Sequence, residues 1–410
     1  MGGGLLQLVA YGAQDAYLSG NPQITFWRGL FKRHTNFAME PFRVNMTGQA
    51  SWGTKHSAVL GRHADLVSSA YIELELDDNA NITVYDTSDG RKAAFNFLEY
   101  AEIDIGGQVI DRQYGEFLYL WSTLAHTYEQ QVNMNAMVKL EGANATCSST
   151  TGRPVRNNLT YIPLMFFFCR NPGAALPLIA LQYHEVKINI LWNKPQLIFK
   201  DDGSITTGGV NIQNPSQANL VIDYVYLDVE ERRRMAQESH EYLIEQTQYN
   251  EDKGLTSANN RVDLTFNHPV KELIWVTQQS KRRNCRYSTD QVNPLYYDPI
   301  IYDCALQLNG QDRVPSFPGQ YYSFVQAYQH HSGFGIPGVY SYSFAIKPEE
   351  HQPSGTCNFS RIDTATLVFN VDGNVTINKE DINNYDIRVY ALNYNILRVM
   401  SGMGGLAYSN

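Results

Sequence analysis

Short runs in which apolar and polar residues alternate recur along the whole chain. They begin with LVSSAYIELEL (66–76), AEIDIGG (101–107), YHEVKINILW (183–192) and NLVIDYVYLDV (219–229). RVDLTF (261–266), VKELIWV (270–276), DCALQLNG (303–310), TATLVFNV (364–371) and DIRVYALNYNI (386–396) continue the series. A period of two places successive side chains on opposite faces, so these runs predict half-buried β-strands. Helical patterning is confined to YGEFLYLWSTLAHTYEQ (114–130) and YYSFVQAYQHH (321–331), with a turn expected within VEERRRMAQESHEY (229–242).

Both helices follow the same punctuation. EIDIGGQVIDR (102–112) precedes the first and ALQLNGQDRV (305–314) the second. In each, an alternating strand meets a Gly-containing pair suited to a tight hairpin, then Asp-Arg, then an aromatic helix. YHEVKINI (183–190) aligns with TATLVFNV (364–371) at an offset of 181. VYLDVEERRRM (225–235) aligns with the start of VYALNYNILRVM (389–400), matching Val-Tyr at 225–226 and 389–390 and Arg234 with Arg398. Matches in order across the chain predict a duplicated domain, too long to be a solenoid or propeller repeat. The fold expected is all-β: two tandem eight-stranded antiparallel jelly rolls with short helices in loops. The divisions are an N-terminal arm (1–25), a first jelly roll (26–236), a second (237–400) and a C-terminal tail (401–410), with the junction near 236–242. The stretch 131–161, rich in Asn, Ser, Thr and Gly and absent from the second unit, reads as an exposed loop.

Composition narrows the function. Aromatic residues make up 12% and charged residues only 18%, which suits β-rich architecture with surface not all meant for water. A net charge of −9 argues against direct nucleic-acid binding, which rests on a basic field. The five cysteines, Cys147, Cys169, Cys285, Cys304 and Cys357, are scattered without a CxxC pair and read as structural thiols. None of the ten histidines falls in a metal-binding spacing. His330-His331 reads as a solvated or interface pair, and His56 and His63 flank a strand and turn. Asp77-Asp78 and Asp201-Asp202 look like turn acids, since nothing nearby would separate their pKa values. No nucleophile motif or phosphate loop appears, so no catalytic, cofactor or metal residue is assigned. The basic SKRRNCR (280–286) reads as a loop face, the terminal GMGGLAYSN as a mobile tail. Asn-x-Ser/Thr triplets start at Asn45, Asn81, Asn144, Asn158, Asn358 and Asn374, a chance frequency for so Asn/Thr-rich a chain.

The N-terminal stretch LQLVAYGAQDAYLSGNPQITFWRGLFKRHTNF (6–37) is sticky yet poor in local structure. Its start lacks the basic residues and unbroken apolar run of a secretory signal, and Leu6 stands where myristoylation wants Ser or Thr. No window carries the ~18 apolar residues of a membrane span. The surface must therefore bury itself against protein.

The same stretch resembles the N-terminal signature of major capsid proteins of nucleocytoplasmic large DNA viruses, the group of phycodnaviruses, iridoviruses and mimivirus relatives. The resemblance lies in Gly20-Asn21-Pro22-Gln23-Ile24-Thr25-Phe26 and Arg33-His34-Thr35-Asn36-Phe37. IGGQVIDRQYGEFL (105–118) and NPGAALPLIALQYHEVKINI (171–190) extend it. It implies a double jelly roll, homotrimers forming pseudo-hexagonal capsomers that contact neighbouring capsomers, and an icosahedral shell assembled in the host cytoplasm. It also implies minor capsid proteins beneath the shell, and through them contact with an inner viral membrane. On that reading 131–161 lies at the outer, host-facing end. Residues 1–25 form an extended inner arm that buries Leu5, Leu6, Leu8, Val9, Tyr11 and Tyr17 against neighbours, while Trp27, Phe31 and Phe37 anchor its base. The alternatives are a two-domain carbohydrate-binding β-sandwich and a β-sandwich hydrolase.

Overall fold

Two tight hairpins organise the chain. In a computed structural model, described over residues 3–29, 31–48, 50–75, 93–138, 159–194, 214–255, 258–280, 297–372 and 384–408, both fall where predicted. Gly106-Gly107 (φ 62° and 89°) joins β4 (Leu98–Ile105) to β5 (Gln108–Tyr114). Asn309-Gly310 (φ 50° and 76°) joins β13 (Ile301–Leu308) to β14 (Gln311–Pro318). Two successive positive φ values suit the twist of an antiparallel pair, and Gly or Asn tolerates them at least cost.

Each hairpin edges a four-stranded sheet. The first is ordered β2-β8-β4-β5, with β2 at Lys55–Val59 and β8 at Val186–Trp192. Its companion sheet is β1-β9-β3-β6, formed by Phe37–Asn45, Gln217–Leu227, Leu66–Glu75 and Leu159–Pro163, with the short β7 (Leu176–Pro177) on β3. Inward side chains of both sheets, among them Ile72, Leu74, Ile103, Ile188, Leu220 and Ile222, meet in one core. The second half repeats this order. β11 (Asn259–Asp263), β17 (Ala365–Val371), β13 and β14 form one sheet. β10 (His240–Leu255), β18 (Tyr385–Met400), β12 (Pro269–Gln279) and β15 (Val339–Ser343) form the other. Two extra strands join it, β16 (Cys357–Asn358) on β12 and β19 (Met403–Leu406) on β18. Eight principal strands in this order, twice over, make a double jelly roll. All nine alternating runs lie in or overlap its strands.

The duplication extends to register. Val67 pairs with Leu176 of β7, Val270 with Cys357 of β16, and a bulge in the ladder to the neighbouring strand follows each valine. Ile103 pairs with Ile188 and Leu306 with Leu367, so the true spacing of β8 and β17 is 179, two short of the predicted 181. A slip of two keeps every side chain on its own face. The other alignment fails. Tyr224 lies opposite Val67 and Asn393 opposite Val270, a spacing of 169, so the two Val-Tyr pairs are five residues out of register. An odd slip reverses faces. Arg234 is helical and Arg398 lies in a strand, so they are not counterparts.

Several elements differ from expectation. The helix predicted over 114–130 breaks near Ala125 into α3 (Gly115–Leu124) and α4 (Tyr128–Val138). The expected loop 131–161 thus begins as helix, burying Gln131, Met134 and Val138, and ends in β6; residues 139–158 lie outside the described residues. (Here α1 is Gly3–Val9 and α2 is Ala16–Ser19.) The second helix starts with a π turn, Tyr321–Val325, before Gln326–His330. The turn expected at 229–242 is a nine-residue helix, Val229–Gln237, with the Asp228 carboxylate accepting from its first N–H (2.9 Å) and Glu230 and Glu231 in its first turn. The terminal tail, expected to be mobile, turns at Ser401-Gly402 and returns as β19. There Gly404 is required, because a Cβ would stand 2.6 Å from Leu181 Cδ2. Instead of an extended arm, the N-terminus holds α1 and α2. Residues 1–37 form one compact unit and 38–410 the other. No helix among the described residues is long and apolar enough to cross a membrane.

Candidate assembly surface

The core of the first jelly roll does not stop at its own strands. It takes in Ile244, Ile274, Tyr390, Leu397 and Val399 from the second. The element that carries this contact is α3. Gly115 opens it in a place with no room for a side chain, since a Cβ would strike the carbonyl oxygens of Phe95 and Leu98. Phe117, Leu118, Leu120, Trp121 and Leu124 are then all buried. Phe117 packs against Tyr390 (5.7 Å between ring centres), and the edge of His331 meets Trp121 at 6.3 Å.

Two buried ionic groups bridge the junction and a third lies beside it. Arg388 of β18, 1% exposed, makes a two-pronged pair with Glu116 of α3 (2.6 and 2.7 Å), and the Tyr390 hydroxyl donates to the same carboxylate (2.5 Å). Burial works against the Arg388 charge, but Glu116 outweighs it and holds the guanidinium well above its ordinary pKa. In the second group Glu245 of β10 accepts from Arg170 of the first jelly roll (2.7 Å) and Lys271 of β12 (2.6 Å). Burial would raise the Glu245 carboxyl, yet His351, Lys271 and Arg170 hold it at about 2. Lys271 is lowered by burial despite Glu245. In the third group His331 lies between Glu272 (2.6 Å) and Glu349 (3.2 Å). Burial alone would lower its pKa; the two carboxylates overcome that and lift it to about 10. The pair expected at 330–331 to be solvated or at an interface divides: His330 is half-buried, its ring on the Ile346 carbonyl, whereas the His331 side chain is fully buried between its two carboxylates.

A cavity of about 320 Å³ lies beside this junction between β5 and β10, lined by Asp111, Arg112, Tyr114, Gln246 and Tyr249 among others. Asp111 accepts from the Thr247 N–H (2.9 Å) and Gln113 (3.1 Å), and burial pushes its carboxyl up to about 6. It ties β5 to β10 across the junction. Among the described residues no cluster of His, Cys, Asp and Glu could hold a metal.

The outward apolar surface is of a different kind. In the N-terminal unit Leu5, Leu6, Leu8, Val9, Tyr11 and Tyr17, the residues expected to bury against neighbours, are all exposed. Trp27, Phe31 and Phe37, expected to be buried at the arm's base, are exposed too. The motif residues Asn21, Pro22, Gln23, Arg33, His34, Thr35 and Asn36 are exposed; Asn21 takes a positive φ of 50°, which Asn tolerates, and His34 packs edge-on against Phe37. In the second jelly roll Phe324, Val325, Tyr328 and Ile346 form an exposed set not anticipated from the sequence. The outlying acids Asp77, Asp78, Asp201 and Asp202, the basic run 281–286, Cys147, Cys285 and four of the Asn-x-Ser/Thr sites lie outside the described residues. Cys169, Cys304 and Cys357 are free thiols.

Two jelly rolls fused through a buried junction, with large apolar side chains left exposed, suit a building block of a viral shell. Sequence comparison agrees. Residues 25–228 match the family described as "Major capsid protein N-terminus", and residues 231–405 match "Large eukaryotic DNA virus major capsid protein". The chain belongs to this family. The major capsid protein of Pyramimonas orientalis virus is 44% identical over the full length of both chains, and that of Paramecium bursaria Chlorella virus 1 is 38% identical, again over both full lengths. A chain of the PBCV-1 virus capsid superposes with a TM-score of 0.77 at 33% identity, over 94% of this chain and 100% of that one. The Faustovirus major capsid protein shares the fold (TM-score 0.72, 11% identity, 95% and 94% covered). The protein is a structural component of the virion capsid.

Proposed function

We propose that three copies assemble into a pseudo-hexagonal capsomer that tiles an icosahedral shell. The observation that carries this is the repeated strand order, in register, within one chain. Sixfold tiling needs a similar edge every sixty degrees, and a duplicated domain present three times supplies six. Interfaces of such permanence bury more than ~2,000 Å² and are apolar, which fits the exposed Phe324, Val325 and Tyr328. The first jelly roll runs over 26–236 and the second over 237–400; the two family matches, which meet between 228 and 231, support a junction close to this, at the Val229–Gln237 helix. Residues 1 to about 25 lie on the inner side. Their exposed Leu5, Leu6, Leu8, Val9, Tyr11 and Tyr17 meet neighbouring capsomers or minor capsid proteins, which carry any contact with an inner membrane. Assembly takes place in the host cytoplasm, and the protein performs no turnover and binds no nucleic acid directly.

Electron microscopy of the purified protein tests this. Class averages should show three-fold blocks with a hexagonal outline; single two-lobed particles alone would overturn it. Deleting residues 2–20 should leave the subunit's melting temperature unchanged while impairing shell assembly. A subunit unfolded by that deletion would place the arm in its own core.

A further inference from the structure

The helical segments that follow the two hairpins hold equivalent places and meet different neighbours. Gly115 and Gly319 open them, and a Cβ at either would strike the carbonyl oxygen of the matching strand residue, Leu98 or Ile301. Counted from those glycines, Leu120 and Trp121 correspond to Phe324 and Val325. Leu120 and Trp121 are 0% and 5% exposed; Phe324 and Val325 are 45% and 40%. Tyr328, four residues beyond Phe324 on the same side, is 89% exposed.

Part of what covers α3 comes from the second jelly roll. Tyr390 of β18 packs on Phe117, and the segment after the second helix closes on the end of α3, where the Gly333 N–H donates to the Leu124 carbonyl (2.7 Å). β18, which receives α3, and its sheet neighbour β10 also have counterparts. β10 matches β1, and β18 matches β9, with Tyr390 paired to Ile274 as Val221 is paired to Tyr71. β10 is buried from Ile244 to Thr247, and β18 is buried on both faces along most of its length. β1 is exposed from residue 37 to 41, and Val221 of β9 is partly exposed. Among the described residues the second jelly roll therefore carries an apolar helix face with no sheet over it, and the first an exposed edge strand with no helix over it.

We infer that Phe324, Val325 and Tyr328 of one copy dock on the β1–β9 edge of a second copy, around Met39 and Val221, repeating between chains the contact that α3 makes with β18 within one chain. The inference rests on the trimer proposed above and names the surfaces that close it. The contact is head-to-tail, so each chain offers a helix face to one neighbour and a strand edge to the other, and the ring closes at three.

Charge-swap variants test it, with mass read by light scattering on full-length protein and folding by circular dichroism. Tyr328→Lys and Met39→Glu should each lower the particle mass threefold at equal concentration while leaving the fold intact. The double variant, which sets Lys against Glu at every contact, should regain the trimer. Val229→Glu, on the exposed helix of the first jelly roll, should change nothing. Should Tyr328→Lys not fold, Tyr328→Ser provides the milder cut, with the same threefold loss expected at low concentration. Trimers that persist in both single variants would overturn the inference and leave the trimer standing. Single variants that dissociate without rescue in the double would show that these two surfaces do not meet. A monomeric wild type would overturn both readings.

Discussion

The segments 115–124 and 321–330 descend from the same position of a repeated domain, and both are rich in large apolar residues. One is core: its leucines, Phe117 and Trp121 are sealed between two jelly rolls, and its first acid, Glu116, is paired with a buried Arg388. The other is half surface. It starts with a π turn, buries only Tyr322, Ser323, Gln326 and Ala327, and shows Phe324, Val325 and Tyr328 to solvent. The difference does not come from local propensity. It comes from what lies opposite: within one chain the first jelly roll has a neighbour on that side and the second has none. A domain duplicated in tandem satisfies one junction internally and leaves the equivalent one open. An open apolar junction is the condition for assembly.

Breaking the closed junction should have the largest effect. Glu116→Ala leaves Arg388 buried without its anion, and losing one partner of a buried pair costs ~3–5 kcal/mol; denaturant unfolding should show that loss. Truncating the matched positions sharpens the contrast. Leu120→Ala should cost ~2–5 kcal/mol as a core cavity, whereas Val325→Ala in the isolated subunit should stay within about 0.5 kcal/mol, as surface changes do. Equal losses at the two sites would mean that Val325 is as much core as Leu120.

The third prediction concerns pH. His331 packs at the end of α3, and its folded pKa of about 10 lies above the ordinary value of 6.5. A raised folded pKa means that the charged ring is favoured by folding. Its contribution is fully present below about 6.5 and is lost as pH rises through 10. The melting temperature should fall over that window, and His331→Gln should flatten the fall. An unchanged slope in the variant would assign the alkaline loss to other groups.

Much of the fold was legible in the sequence, because alternation reports which face of a strand is buried and every run is bounded by turn residues. The hairpins were legible for a sharper reason: Gly and Asn take positive φ at least cost, so Gly106-Gly107 and Asn309-Gly310 mark the turns directly. The β9–β18 register was not, since Val-Tyr pairs recur on any strand and only the bulges after Val67 and Val270 fix the phase. Nor was the His331 site, whose partners Glu272 and Glu349 arrive from separate strand and loop segments. The open face at 324–328 was hidden for the reason the comparison supplies. An apolar helix looks the same in sequence whether its cover is its own chain or another, and the burial of α3 alone shows what the second helix lacks. The helical turns of the N-terminus were not legible, because Gly2 to Gly4, Gly12 and Gly20 suggest a chain without local structure.

Sedimentation equilibrium of the purified wild-type protein tests the central claim most directly. If the second junction is closed by another copy, the particle mass will be three times the 46.5 kDa of the chain and will hold on dilution. A mass of 46.5 kDa at every concentration would contradict the account.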